Sequence, residues 1–507
     1  MSDLYVVQSA ADALAWLRAR VSGGHLQTDS RKVEPGDAFI AWPGGVVDGR
    51  AYVAQAVERG AVACLVELEG VEQFELQGLP VAALQSLKAA TGEIASQWQG
   101  VPSAALDVLA VTGTNGKTSI SWWLAQAIAH LCEAGVLTHR GSAMVGTLGV
   151  GIPPAQLQTT GMTTPDPVLL QAAFRQFVDA GYGACTIEAS SIGIVEHRLA
   201  GTRLKLAIFT NFTQDHLDYH GSMAAYWAAK RALFMWPGLH AAVINVDDPK
   251  GAELEQTLHS TAVDVWTVSV QATASARLKA SNIRAGERGL VFEVCEGDAC
   301  VTLNSQTIGQ YNVSNLLEVI ASLRVLGASL QQAVNACAAL APVPGRMEQV
   351  TAPHAPLVAV DYSHTPDALE KALQALRPLA VQRTGKLWCV FGCGGNRDAT
   401  KRPLMGRIAQ QRADEIIVTS DNPRGEAPQA IIDAIVHGMA ADGGGLWRVQ
   451  ADRAVAIAEA IALAKPQDVI LIAGKGHEDY QEVAGVKHPF LDIAQAEKAL
   501  QQRKDSV

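Results

Sequence analysis

The chain has no pair of cysteines at C-x-x-C spacing, no long apolar run and no excess of basic charge. Each absence excludes something. Its eight cysteines, at 64, 132, 185, 295, 300, 337, 389 and 393, stand singly, and 507 residues need no disulfide staples. Reduced thiols are therefore expected. A bilayer-spanning helix needs about 20 consecutive apolar residues, and no stretch here supplies them. No basic segment precedes an apolar core at the N-terminus, so the expectation is a cytoplasmic protein that meets no membrane. A net charge of −10 argues against a general nucleic-acid surface, yet leaves room for a local basic pocket. No short-period repeat or low-complexity tract is present. With 49% hydrophobic and 18% charged residues, the chain has the composition of well-buried globular domains, and its length suggests about three of them.

The first hundred residues are short apolar runs broken by Gly, Pro and Asp, and "VPSAALD" (101–107) reads as a linker. Beyond it, strand-length apolar runs alternate with helical patterns: "LDVLAVTG", "YGACTIEAS", "LKLAIFTN" and "HAAVINVDD". Such runs suit strands buried on both faces of a parallel sheet. A second boundary falls near "APVPGR" (341–346), after which the alternation restarts with "LVAVDYS", "KLWCVFGCGG", "DEIIVTSDNPR", "LWRVQAD" and "DVILIAGKG". The expected class is α/β with three domains: 1–102, a small N-terminal unit; 103–343, a central parallel-sheet unit; and 344–507, a Rossmann-like unit.

One more absence directs attention to chemistry. "VTGTNGKTS" (111–119) resembles the phosphate loop G-x-x-x-x-G-K-[ST], but Val111 stands where the first glycine belongs. The loop lies between a predicted strand and the amphipathic "KTSISWWLAQAIAHL", where backbone N–H groups and the helix dipole favour phosphate. Lys117 can reach β/γ-phosphates and the Thr118 hydroxyl can ligate Mg2+. Glu188 of "TIEASS" ends a predicted strand, where carboxylates reach ligands; alone it more often reads as a solvated loop acid or a helix cap. "TNFTQDHLDYHG" packs Asn211, Asp215, His216, Asp218 and His220 together, either as a polar turn before a helix or as a metal or substrate rim. Lys230 in "YWAAKRALF" is by default a solvated helix lysine. Partial burial beside Trp227 would favour its neutral amine, which can form a carbamate with carbon dioxide.

Taken together, "VTGTNGKTS", "MTTPD", "EASS…EHR", "TNFTQDHLDYHG", "YWAAKRALF", "YNVSN", "VPGRME", "DYSHTPDAL", "FGCGGNRD", "DNPRGE" and "AGKGHEDY" resemble the Mur ligases, ATP-dependent amide-bond enzymes of peptidoglycan precursor synthesis. The resemblance spans nearly the whole chain and makes T-G-T-N-G-K-T that family's own form of the loop. It implies ATP and Mg2+ as cofactors and an acyl phosphate formed on the D-glutamate carboxylate of UDP-N-acetylmuramoyl-L-alanyl-D-glutamate. An incoming amine then attacks. By the same resemblance Gly113, Thr114, Asn115, Gly116, Lys117, Thr118 and Ser119 cradle phosphate, and Thr118, Glu188 and His216 ligate metal. Lys230 is the lysine whose carbamate supports a second Mg2+. Asn312 and Asn315 lie against adenine, and Arg346, Asp361 and His364 reach the nucleotide from the third domain.

The UDP end is expected at Thr28, Ser30, Gly45, Val46 and Val47, and the muramyl dipeptide at Thr163, Thr164, Ser190, Glu196 and Arg198. Two departures stand out: Ile192 replaces a histidine frequent in relatives, and Glu196 replaces an uncharged glutamine, placing an acid beside an anionic substrate. "DNPR", that is Asp421, Asn422, Pro423 and Arg424, marks the family members that add diaminopimelate. Arg397, Gly474 and Glu478 complete that pocket, and an arginine fork pairs the distal carboxylate that lysine lacks. The expected partners are the UDP-muramyl dipeptide and meso-diaminopimelate, with the protein a monomer. The alternatives are a P-loop NTPase using hydrolysis as a switch, a folylpolyglutamate-type ligase, and a family member adding L-lysine. The first does not require "DNPR" or "GKGHE", and the second leaves the first hundred residues without a task.

Overall fold

A computed structural model describes residues 4–45, 47–154, 156–272, 274–286, 289–439 and 446–504. Among the described residues three large sheets follow one another along the chain, with a small antiparallel pair, Tyr480–Val483 and Val486–Pro489, after the last. The first has five parallel strands in the spatial order Tyr5–Val6, Val81–Leu84, Ala63–Glu67, Ala38–Ala41, Leu26–Gln27. Helix Leu87–Trp98 follows it and seats the unit on its neighbour. The hydrophobic cluster of this sheet takes in Val168 from helix Pro167–Asp179 of the next unit.

The central sheet has eleven strands. Its parallel heart runs Asp264–Ser269, Ala241–Asn245, Leu206–Phe209, Asp107–Thr112, Ala184–Glu188, Ser142–Gly146. Every residue of Ala184–Glu188, Leu206–Phe209 and Ala241–Asn245 is buried, the burial that continuous apolar runs demand. Helices Lys117–Glu133 and Tyr311–Val325 cover one face, and Pro167–Asp179 with Pro249–Leu258 the other. At one edge Leu278–Ala285, Leu290–Glu296 and Ala299–Ser305 form an antiparallel extension.

That extension corrects one expectation. Cys295 and Cys300 sit directly opposite each other across the hairpin and are joined as a disulfide. Six residues of chain gave no sign of it; the cross-strand register did. The other six cysteines are free, and all but Cys132 are buried.

The third sheet orders Glu348–Val350, Leu357–Asp361, Val469–Ala473, Leu387–Phe391, Glu415–Val418, Leu446–Val449, all parallel except the first. In both larger sheets the parallel registers bring strand ends level. Glu188 pairs with Val111 and Phe209 with Thr112, while Ala473 pairs with both Asp361 and Phe391. The loops leaving those ends therefore share one rim in each sheet. Ligand sites of open α/β sheets form there.

Candidate active site

The nucleotide-type loop leaves strand Asp107–Thr112 between its two sheet neighbours, Ala184–Glu188 and Leu206–Phe209. Two glycines allow its shape. Gly113 (φ +148°) and Gly116 (φ +93°) are in conformations that side chains rarely adopt. A Cβ on Gly113 would lie 1.9 Å from Thr210 Oγ1, and one on Gly116 2.8 Å from Asn315 Oδ1. Missing the usual first glycine costs nothing here, because Val111 is still a buried strand residue. Lys117 opens helix Lys117–Glu133, and its ammonium donates to the carbonyls of Gly113 and Thr114, each at 2.9 Å. Asn211 braces the loop from the next strand end, its Oδ1 accepting from Asn115 N at 2.9 Å.

Glu188 is 1% exposed and fully engaged. It accepts from the Thr118 hydroxyl at 2.9 Å, from Thr147 N at 2.8 Å and from the Thr147 hydroxyl at 3.2 Å. Room for it exists only because residue 146 is glycine: a Cβ there would stand 2.3 Å from Oε1. Lys230, in helix Met223–Arg231, is 1% exposed, more deeply buried than its sequence suggested. Its Nζ donates to Gly113 O at 2.7 Å and lies 4.5 Å from the centre of the Tyr226 ring. Burial pushes its amine well below the usual lysine value, the nearby Lys117 adds to this, and Asp215 opposes it. His216 has a left-handed backbone (φ +52°), and its ring is 3.5 Å from Asp215. Burial works to raise Asp215, but His216, His364, a backbone N–H and Lys117 together hold it below the usual carboxylate range.

The third unit closes over this rim. Arg346 donates to the Thr118 hydroxyl at 3.0 Å and stacks 4.6 Å above the Tyr362 ring. Asp367, in the first turn of helix Pro366–Gln382, accepts from Asn115 Nδ2 at 2.8 Å and pairs with Lys371 at 2.9 Å. Asp361 accepts from Met347 N at 2.8 Å, and burial raises its carboxyl against the pull of Ser363 and Arg346. The His364 imidazole is pushed down to about 4 by burial, helped by Lys401 and opposed by Asp215. It is therefore neutral at pH 7. A cavity of about 420 Å³ separates the two rims. Thr114 to Ser119, Thr163, Glu188, Ser190, His216, Lys230, Asn312, Asn315, Arg346, Asp361 and His364 all line it.

Asn312 and Asn315 occupy one end of helix Tyr311–Val325, where Asn315 Nδ2 donates to Asn312 Oδ1 at 2.9 Å. Thr164 donates to Glu188 O at 2.7 Å and meets the Ser190 hydroxyl at 2.9 Å; Arg198 donates to Thr164 O at 2.9 Å. These join Thr163, itself 3.0 Å from the Thr147 hydroxyl, in one patch next to the loop. Glu196 is part-buried on the same helix–loop segment and is not a bare acid: Lys88 pairs with it at 2.5 Å and Tyr219 donates to it at 2.6 Å.

A second cluster gathers further along the rim of the third sheet. Arg424 (φ +53°) donates to Gly395 O at 3.0 Å and lies 3.6 Å from Glu482. A Cβ on Gly394 would meet Arg424 Nη1 at 2.8 Å and Arg397 Cγ at 3.8 Å, so both arginines flank that glycine. Asn422 donates to Glu478 at 2.7 Å, and Lys475, fully buried, contacts Asn422 Oδ1 at 3.1 Å and Glu478 at 3.0 Å. Gly474 (φ +118°) leaves space for the Asp421 carboxylate, and the Pro423 carbonyl packs on Gly395. None of these residues lines the central cavity. The link runs through Gly345, where a Cβ would lie 2.2 Å from His477 N. Arg346 and the "GKGHE" turn are thus locked together.

At the opposite end, Thr28, Ser30, Gly45 and Val47 follow the paired parallel strands Leu26–Gln27 and Ala38–Ala41, so both loops leave one edge. Ser30 donates to Gln55 at 2.8 Å, and Val47 is half exposed. Val46 lies outside the described residues. Sequence reasoning missed Thr147, Asp367, Lys371 and Lys475. Asp367 sits inside "DYSHTPDAL" and Lys475 inside "GKGHE", while no motif pattern marks Thr147 or Lys371. Among the described residues no three His, Cys, Asp or Glu side chains gather into a metal cage. Nor is any helix there long and apolar enough to cross a membrane.

A nucleotide-type loop set between two facing α/β rims, with the N-terminal unit packed on helix Pro167–Asp179, defines a class of ATP-dependent ligase. The chain belongs to the Mur ligase family: residues 24–99 match its catalytic domain, 111–323 its middle domain and 345–476 its glutamate ligase domain. It is 62% identical over 503 residues to a UDP-N-acetylmuramoyl-L-alanyl-D-glutamate–2,6-diaminopimelate ligase of Acidovorax sp., covering 99% of each chain. A solved structure of a ligase of the same description matches with a TM-score of 0.64 and 33% identity over 95% of each chain. A folylpolyglutamate synthase structure of Mycobacterium tuberculosis matches with a TM-score of 0.59 and 18% identity, covering 76% of this chain and 92% of its own. That likeness is one of fold.

Proposed function

We propose that this protein joins 2,6-diaminopimelate, in its meso form, to the D-glutamate of UDP-N-acetylmuramoyl-L-alanyl-D-glutamate at the expense of ATP, by way of an acyl phosphate. The observation that carries this reading is the closed cleft in which Arg346 of the third unit reaches Thr118 of the loop, next to a separate arginine-flanked rim. The three units divide at 1–102, 103–343 and 344–507. The first holds the UDP end at Thr28, Ser30 and the Gly45–Val47 loop. Thr163, Thr164, Ser190 and Arg198 hold the dipeptide beside Glu188.

Lys117 places its ammonium among the phosphate oxygens, and Arg346 adds a second positive charge from across the cleft; charge stabilisation of this kind is most of what phosphoryl transfer asks of a protein. The oxygen donors of Thr118 and Glu188, with His216 nearby, fit a hard divalent cation such as Mg2+. Such a cation, when bound, neutralises phosphate charge. The buried Lys230, held toward its neutral amine, has the form that carbon dioxide carbamylates, and the resulting carboxylate would add oxygen donors at the same rim. Arg424 and Arg397 take the distal carboxylate of diaminopimelate, and Glu478 its distal ammonium. The protein acts as a monomer in the cytoplasm.

The test is ADP release with UDP-muramyl dipeptide plus meso-diaminopimelate, L-lysine or no amino acid, with a folate as the control acceptor. Turnover should require the dipeptide and favour diaminopimelate strongly. Equal rates with lysine would defeat the choice of amino acid. ATP hydrolysis independent of any acceptor would defeat the ligase reading.

A further inference from the structure

Glu196 has partners drawn from two units. Lys88 belongs to helix Leu87–Trp98 of the N-terminal unit, and its ammonium lies 2.5 Å from Glu196 Oε2. Tyr219 donates to the other oxygen at 2.6 Å. Neither Lys88 nor Glu196 is more than about a third exposed. The helix bearing Lys88 cannot drift, because its backbone touches the chain just beyond Arg198. A Cβ on Gly92 would stand 2.3 Å from Ala200 O, and one on Gly201 2.4 Å from Gly92 O. The ammonium is thus presented at a fixed place, one turn of chain from the Thr164–Ser190–Arg198 patch.

We infer that Lys88 is a specificity-determining residue: it neutralises Glu196 so that an anionic UDP-muramyl dipeptide can occupy the patch beside an acid. The inference rests on the proposed substrate. An unpaired Glu196 would repel the carboxylates of that substrate, and like charges about 6 Å apart, screened by solvent to an effective dielectric constant of about 40, weaken binding by on the order of tenfold. Tyr219 alone cannot cancel the charge, since a hydroxyl donor leaves the carboxylate an anion.

The experiment compares Lys88→Ala with the double variant Lys88→Ala/Glu196→Gln, measuring KM for the UDP-muramyl dipeptide and for ATP, with thermal unfolding alongside. Lys88→Ala should raise the dipeptide KM about tenfold and leave the ATP KM unchanged. Removing the orphaned charge in the double variant should bring the dipeptide KM back to within about threefold of the unaltered enzyme. Lys88→Arg should behave as the unaltered enzyme. A double variant no better than Lys88→Ala would mean that the pair only fastens two units together, and would overturn the inference while leaving the activity intact. An unaltered enzyme that ignores the dipeptide would remove the substrate reading and this inference with it.

Discussion

Replacing Gly146 by alanine separates the stability of this fold from the working of its site. Gly146 ends strand Ser142–Gly146, beside the end of Ala184–Glu188. Its added Cβ would stand 2.3 Å from Glu188 Oε1, 2.9 Å from Cδ and 3.0 Å from Cγ. Ordinary contact needs about 3.5 Å or more, so the carboxylate must move by roughly 1 Å. The fold can survive this, because what moves is the end of a side chain, and the stability loss, including bonds lost by the carboxylate, should stay within about 3 kcal/mol. The site cannot. The displaced Oε1 is the atom that accepts from Thr147 N, and rotation of the carboxyl also takes Oε2 from the Thr118 and Thr147 hydroxyls. Losing one or two bonds to a buried carboxylate costs about 1.5–3 kcal/mol. If Glu188 and Thr118 organise the cation and phosphate together, kcat/KM should fall about 10- to 150-fold. The assay is ADP release with ATP varied and then with Mg2+ varied, read as kcat/KM and set beside the melting temperature. A folded Gly146→Ala variant with turnover within twofold of the parent would refute the reasoning, and would mean that the Glu188 network is structural.

Other outcomes follow from the same geometry. In the folded state Lys230 has a lowered pKa, so it gives up its proton at a lower pH than in the unfolded chain, which keeps it up to the usual lysine value of about 10.4. Its contribution to stability therefore rises with pH from the lowered pKa toward that value, and Lys230→Met, lacking the rise, should be more stable than the parent at pH 7 with the gap narrowing by pH 9.5. Urea midpoints in carbon-dioxide-free buffer would show this, and parallel pH curves for the two proteins would contradict it. Lys230→Ala should also lose at least about 100-fold in turnover and regain part of it with added short carboxylates; full activity would count against a carbamate. Gly345→Ala must shift either the "GKGHE" turn or Arg346, since its Cβ would lie 2.2 Å from His477 N at a φ of +65°. A stability loss of about 1–3 kcal/mol with a raised KM for ATP is expected by equilibrium unfolding and kinetics. Arg424→Ala should lose most of the preference for diaminopimelate over lysine in competition assays, because the bidentate fork that answers the distal carboxylate is gone.

Much of this protein was legible before any coordinates. The strand runs around 107–112, 184–188, 206–209 and 241–245 were readable because strands buried on both faces leave a continuous apolar record. The loop at 111–119 was readable because phosphate binding constrains consecutive residues, and order along the chain carried the family resemblance. Motif residues scattered over more than two hundred positions then met in one cavity, as Thr118, Glu188, Lys230 and Arg346 do.

What the chain could not disclose is what depends on register, on close approach or on contact between units. Cys295 and Cys300 are ordinary thiols in the sequence, and only the hairpin pairing sets them face to face. Gly146 follows no turn pattern and Pro344-Gly345 reads only as a turn; the lack of a side chain at each glycine matters because Glu188 and His477 arrive from 42 and 132 residues away. Glu196 read alone is an acid without a partner, and only folding delivers Lys88 to it from another unit. Sequence motifs record chemistry that neighbours in the chain perform together. The charge balance and free space around that chemistry are set by residues that only tertiary packing makes neighbours, and they leave no local pattern to read.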